Sequence, residues 1–109
     1  MTNQLKEVRL SDHDLEALKA LFLVYFLPGD RLWLFGSRAD LSKKGGDIDL
    51  YVETQADTIE QAMKMKSNFI WNLEQKIGEQ KIDLVLNMLN HPCPLPIHTV
   101  ALTEGVKIV

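Results

Sequence analysis

The stretch LFGSRADLSKKGGDIDLYV, Leu34 to Val52, places two carboxylates, Asp47 and Asp49, two positions apart, shortly after a Gly-Ser pair. Ile48, Leu50 and Val52 alternate with Asp47, Asp49 and Tyr51, the period-2 pattern of a strand with one apolar face. Residues i and i+2 of a strand share a face and lie roughly 7 Å apart along it, so Asp47 and Asp49 converge on one patch. Charged side chains in strands usually reduce stability, and a lone acid pair of this kind is more often a solvated face than a site. The surrounding sequence therefore decides how the pair is read.

Working outward, Arg31 to Phe35 is short, aromatic and apolar, and predicts a strand entered through the turn Pro28-Gly29-Asp30. Before it, Ser11 with Asp14 three residues on resembles a capping box, and Leu15, Leu18, Phe22 and Tyr25/Phe26 predict an amphipathic helix over about 12–26. After the acids, Ile59, Ala62, Met63, Phe69, Ile70, Leu73 and Ile77 mark a long helix over about 57–77, closed by Gly78. Trp71 and Met65 fall off that stripe and are read as exposed candidates for a partner surface.

Lys81 to Leu86 alternates again, with Ile82, Leu84 and Leu86 facing one way and Asp83 and Val85 the other. Beyond the Pro92/Pro94/Pro96 loop, 97–104 predicts a short helix and 106–109 a last strand. The order is helix, strand, loop (36–46), strand, helix, strand, helix, strand. It predicts one α/β (α+β) domain spanning 1–109, with a mixed sheet, helices on one face and the acids on the other.

Bulk properties narrow the function. The 109 residues suit one domain. A net charge of −3 argues against strong sequence-independent binding of nucleic acid, which relies on a basic face. A nucleotide held through metal ions escapes that objection. A single cysteine, Cys93, excludes an internal disulfide and a CxxC site. With no apolar signal core and no run near the ~20 residues of a span, a cytoplasmic protein is expected.

If the strands bearing Asp49 and Asp83 are neighbours, Asp47, Asp49 and Asp83 form one acidic cluster. Like charges so close raise one another's pKa unless a cation neutralises them. Mg²⁺ takes a few carboxylates, waters and substrate phosphates, and two such ions can activate an attacking oxygen and stabilise a leaving one. Gly36 permits close backbone approach after the strand, and Ser37 adds a hydroxyl, which together suit a phosphate. Neither GxxxxGK[ST] nor GxGxxG is present. An EF-hand begun at Asp40 would meet Lys44 at its fifth position and Tyr51 in place of the bidentate Glu.

Phe35-Gly36-Ser37, nine residues, Asp47-Ile48-Asp49-Leu50, and Asp83 in a later strand together resemble the polymerase β-like nucleotidyltransferase superfamily. Within it the chain is most similar to the minimal nucleotidyltransferases, from about Leu15 through the ending HTVALTEGVKIV. The resemblance implies the nucleotidyltransferase fold, with Asp47 and Asp49 binding two Mg²⁺ ions and Asp83 ligating the catalytic ion. It implies that Gly36 and Ser37 hold the β/γ-phosphates of ATP. Arg38 either reaches a phosphate or pairs with Asp40. Two positions depart from the family pattern: Asp40 stands where Gly often follows Ser-Arg-Ala, and Gly46 where Ser often precedes the first acid. Neither removes a ligand.

Longer members of the superfamily carry a helical domain that holds the acceptor, so here the acceptor is expected on another chain. The resemblance implies the antitoxin of a toxin–antitoxin pair, transferring AMP to a tyrosine of a helical HEPN toxin. One alternative is modification of a small hydroxyl compound such as an aminoglycoside, with a helical subunit in trans and with Glu53 or Asp57 as extra acids. Another is an antitoxin that only binds. Ordinary roles are assigned to Lys43-Lys44 (solvated), to His13, His91 and His98 (loop or cap), to Cys93 (loop) and to Trp33 (packing). Tyr25 and Tyr51 are read as buried rather than as acceptors of AMP.

Overall fold

Ser11 starts the first helix by accepting the N–H of Asp14 on its Oγ at 3.1 Å. The computed structural model describes residues 11–35, 48–78, 81–90, 102 and 105–109. Helix α1 (Asp12–Tyr25) buries Leu15, Leu18 and Phe22 along one face. The chain then reverses at Leu27–Asp30, where Asp30 N–H bonds the carbonyl of Leu27 at 3.0 Å and Gly29 takes φ +88°. That backbone favours glycine, and a Cβ there would lie 2.8 Å from Nε2 of Gln55.

Strands β1 (Arg31–Phe35) and β2 (Ile48–Thr54) pair antiparallel. Helix α2 (Ile59–Ile77) then crosses over to β3 (Ile82–Met88), which pairs parallel with β2. The short β4 (Val106–Lys107) closes against β1, giving the order β3-β2-β1-β4. The molecule is thus an α+β unit with a four-stranded mixed sheet. The loop expected over 36–46 lies outside the described residues, as does the helix expected over 97–104 apart from Leu102.

Both helices cover one face of the sheet. Leu32, Leu34, Ile48, Leu50, Val52 and Leu84 meet Leu15, Leu18 and Phe22 of α1 and Phe69 and Leu73 of α2 in one core. Phe22 stacks on Phe26 with ring centroids 4.7 Å apart, and both meet the edge of Phe69 at 6.0 and 5.4 Å.

Helix α2 is capped by a Thr-x-x-Gln pair. Thr58 Oγ1 accepts from Gln61 N–H, and Gln61 Oε1 accepts from Asp57 N–H. Gly78 ends it at φ +88°, its N–H bonded to the carbonyl of Glu74.

Expectations for three side chains are corrected. Ile59 and Met63 stand exposed rather than in the core stripe of α2, while Met65 packs against the core instead of facing a partner. The buried stripe runs through Ala62, Phe69 and Leu73, and Met65 follows Ala62 by three residues on that same face. Trp71 is 63% exposed, as expected. Tyr51 is fully buried, as expected, on the face that carries the acids, where Trp33, Phe35, Tyr51 and Val85 form a second apolar cluster.

Candidate functional site

Registers across β1, β2 and β3 build the site as rows. Phe35, Asp49 and Asp83 form one row, Trp33, Tyr51 and Val85 the next, and Arg31, Glu53 and Asn87 the third. Because side chains alternate, these rows share the face turned away from the helices, while Leu34-Leu50-Leu84 points into the core. Asp49 and Asp83 therefore stand side by side, with Cα atoms about 4.8 Å apart across the ladder. Asp83 is exposed and Asp49 half-buried.

Two of the three expected acids are thus neighbours. Asp47, Gly36, Ser37 and Arg38 lie outside the described residues. In the chain, Gly36 follows Phe35 directly and Asp47 directly precedes Ile48. Asp40, Lys43, Lys44, His91, Cys93 and His98 also lie outside. Among the described residues, no group of three or more His, Cys, Asp or Glu is gathered for a metal ion. The donor chemistry of Asp49 and Asp83 nonetheless suits Mg²⁺: two hard carboxylates on adjacent strands, one open to solvent, leave room for water and phosphate oxygen.

Beside the acids, on the same face, Trp33 and Tyr51 of the next row are buried. Trp33 and Tyr51 pack with ring centroids 5.2 Å apart, so Trp33 serves packing as expected. Tyr51 donates its hydroxyl to Glu53 Oε2 and accepts from Asn87 Nδ2, each at 3.0 Å, which joins β2 to β3 through side chains. Burial raises the Tyr51 phenol above its ordinary pKa. The Asn87 bond opposes that shift, and the bond and charge of Glu53 add to it. Tyr51 thus remains a neutral donor.

This chain of bonds went unread in the sequence. Its signal was the i, i+2 spacing of Tyr51 and Glu53 on one strand face. Glu53 is two rows from Asp49, and Asp57 lies beyond the end of β2, where Asn90 donates to it at 3.2 Å. Neither belongs to the row of Asp49 and Asp83.

A second polar cluster sits at the opposite end of the β1–β2 pair. Asp30, buried just before β1, accepts from Thr54 Oγ1 at 2.6 Å and from the N–H groups of Leu27 and Gln55 at 3.1 and 2.9 Å. Thr54 in turn accepts from the N–H of Ala56 at 3.2 Å. Each carboxylate oxygen has a donor, so this acid fastens the turn to the end of β2.

Among the described residues, no helix is long and apolar enough to cross a membrane. Comparison with known proteins adds no family. No protein-family model matches the chain, and no curated protein matches it.

Proposed function

We propose that the chain is a Mg²⁺-dependent nucleotidyltransferase of the polymerase β-like fold that moves AMP from ATP to a hydroxyl of a partner protein. The partner in this reading is a helical HEPN toxin, the acceptor one of its tyrosines, and the chain its antitoxin. The observation that supports the reading best is the pairing of Asp49 with Asp83 on adjacent strands, on the face opposite α1 and α2. Two carboxylates so placed repel by about 1 kcal/mol even when solvated, which favours a cation between them. Phe35 in the same row leads directly into Gly36-Ser37, and Ile48 is preceded by Asp47, so the sequence motif and the row meet at one end of the sheet.

In this reading Asp47, Asp49 and Asp83 hold the metal, and Gly36 and Ser37, with Arg38, hold the phosphates. Bound Mg²⁺ supplies charge neutralisation along the triphosphate. Asp83, exposed at the row's outer end, orients the acceptor hydroxyl and takes its proton. The hydroxyl oxygen bonds to the α-phosphorus, the bond from that phosphorus to the bridging oxygen breaks, and pyrophosphate leaves. Rate enhancement comes from positioning and charge rather than from a covalent intermediate on the chain.

The test incubates the protein with α-labelled ATP, Mg²⁺ and its helical partner, and assigns the label by mass. AMP on a partner tyrosine, absent with Asp47→Asn/Asp49→Asn, is the expected outcome. A partner that binds and is silenced without gaining mass sinks the enzymatic reading.

A further inference from the structure

The outer edge of β3 offers a second, independent observation. β3 ends the sheet in the order β3-β2-β1-β4, and among the described residues no strand lies on its far side. The N–H of Ile48 bonds the carbonyl of Lys81, and the N–H of Leu89 bonds the carbonyl of Thr54. Backbone groups alternate in direction along a strand, so this phase turns those of Asp83, Val85 and Asn87 toward β2. Those of Ile82, Leu84, Leu86 and Met88 point outward. Such an edge is usually blunted by Lys, Pro or a bulge. Ile82–Met88 reads IDLVLNM, with Asp83 as its one charged residue and no Lys, Pro or Gly.

From this edge we infer a symmetric dimer in which β3 pairs antiparallel with β3 of a second copy, joining two four-stranded sheets into one. The sequence of the strand is what selects a second copy. Its midpoint is Val85, so the register that pairs all seven residues sets Val85 against Val85 of the second copy, on the two-fold axis.

In that register the outward-pointing residues become the hydrogen-bonded pairs: Leu84 with Leu86 and Ile82 with Met88 of the other copy. Apolar residues meet apolar residues on the helix-covered face. On the opposite face Asp83 meets Asn87 of the second copy, a carboxylate beside an amide, and no like charges are opposed. Ile82, Leu86, Met88 and Val85 are each only half-buried in one copy, so pairing removes further apolar surface from water. Both rows of acids then face the same side of the joined sheet.

The test reads mass and amide exchange together. Sedimentation velocity of the unaltered chain is expected to give twice its 12.4 kDa mass at high concentration. Amide exchange at Leu84, Leu86 and Met88 is expected to slow by at least ~10-fold on going from dilute monomer to dimer. A Val85→Cys variant with Cys93→Ser forms a disulfide-linked dimer under mild oxidation faster than Ser67→Cys in the same background. A monomer at all concentrations overturns the proposal. So does a dimer that leaves those three amides unchanged, because it associates elsewhere. Protection that arises only when a different protein is added also overturns it, and gives the edge to a foreign strand.

Discussion

Asp30 and the Asp49–Asp83 pair occupy opposite ends of the same two strands, and their surroundings differ in kind. Asp30 is buried at the Arg31 end of β1, where two backbone N–H groups and the Thr54 hydroxyl supply its hydrogen bonds. Asp49 and Asp83 lie at the Phe35 end, side by side, with Asp83 open to water. A carboxylate that serves architecture is surrounded by neutral donors, because an unmatched buried charge is costly. The paired carboxylates at the other end stand on adjacent strands, one of them in water, an arrangement that the proposed reading assigns to a cation. The same side-chain chemistry thus supports a joint at one end and a proposed reaction at the other.

The largest effect expected from breaking this contrast is on transfer. Asp49→Asn or Asp83→Asn should each lower AMP transfer on the order of a thousandfold, since several kcal/mol of charge stabilisation is at stake. Asp83→Asn should hardly change stability in metal-free buffer, because Asp83 is exposed, and a denaturant titration alongside the label assay checks this.

Asp30→Ala should do the reverse. It should destabilise the fold by about 3 kcal/mol, read as a lower urea midpoint with an unchanged slope, because Thr54, Leu27 and Gln55 all lose their acceptor. Asp30→Asn should recover part of that loss, since one carbonyl oxygen remains.

A smaller effect sharpens the contrast without any assay of transfer. Mg²⁺ at tenfold its Kd should raise the melting temperature of the parent chain by about 5 °C. The rise should persist in Asp30→Asn and vanish in Asp49→Asn. If all three respond alike, the metal is not at the acid pair.

The smallest effect is alkaline. The Tyr51 phenol has a raised pKa in the folded chain, so the native state binds this proton more tightly than the unfolded state. Its contribution is intact below the unfolded value of about 10 and declines as pH climbs from there through the folded value. Tyr51→Phe should flatten that alkaline decline, measured as urea midpoints at a series of pH values.

Much of the strand framework was legible because alternation needs only a local reading. Ile48-Leu50-Val52 and Ile82-Leu84-Leu86 declared their buried faces, and by exclusion the face carrying Asp49 and Asp83. What resisted reading was long-range or belonged to one side of a helix stripe. The Asp30–Thr54 bond joins residues 24 apart, and no local pattern announces it. Ile59 and Met63 were apolar and near the period, yet α2 begins at Ile59, and neither position is in the buried stripe that Ala62 opens. Tyr51 was read as buried, but what buries it on the acids' face depends on the β1–β2 register, which no local pattern gives. Trp33 and Phe35 make that second face apolar next to the acids.

The short strand β4 has a consequence for how the chain is made. It is the last of the four strands in sequence, yet it covers β1, the first, with Ile108 N–H on the carbonyl of Leu32 and Leu32 N–H on that of Val109. About 70 residues separate the end of β1 from β4, which at the pace of translation is roughly 4 to 14 s. Throughout that interval the growing chain carries a strand of Leu32, Trp33, Leu34 and Phe35 with one side unclaimed. Until β4 is made, the side of β1 that it covers in the folded chain waits for its partner.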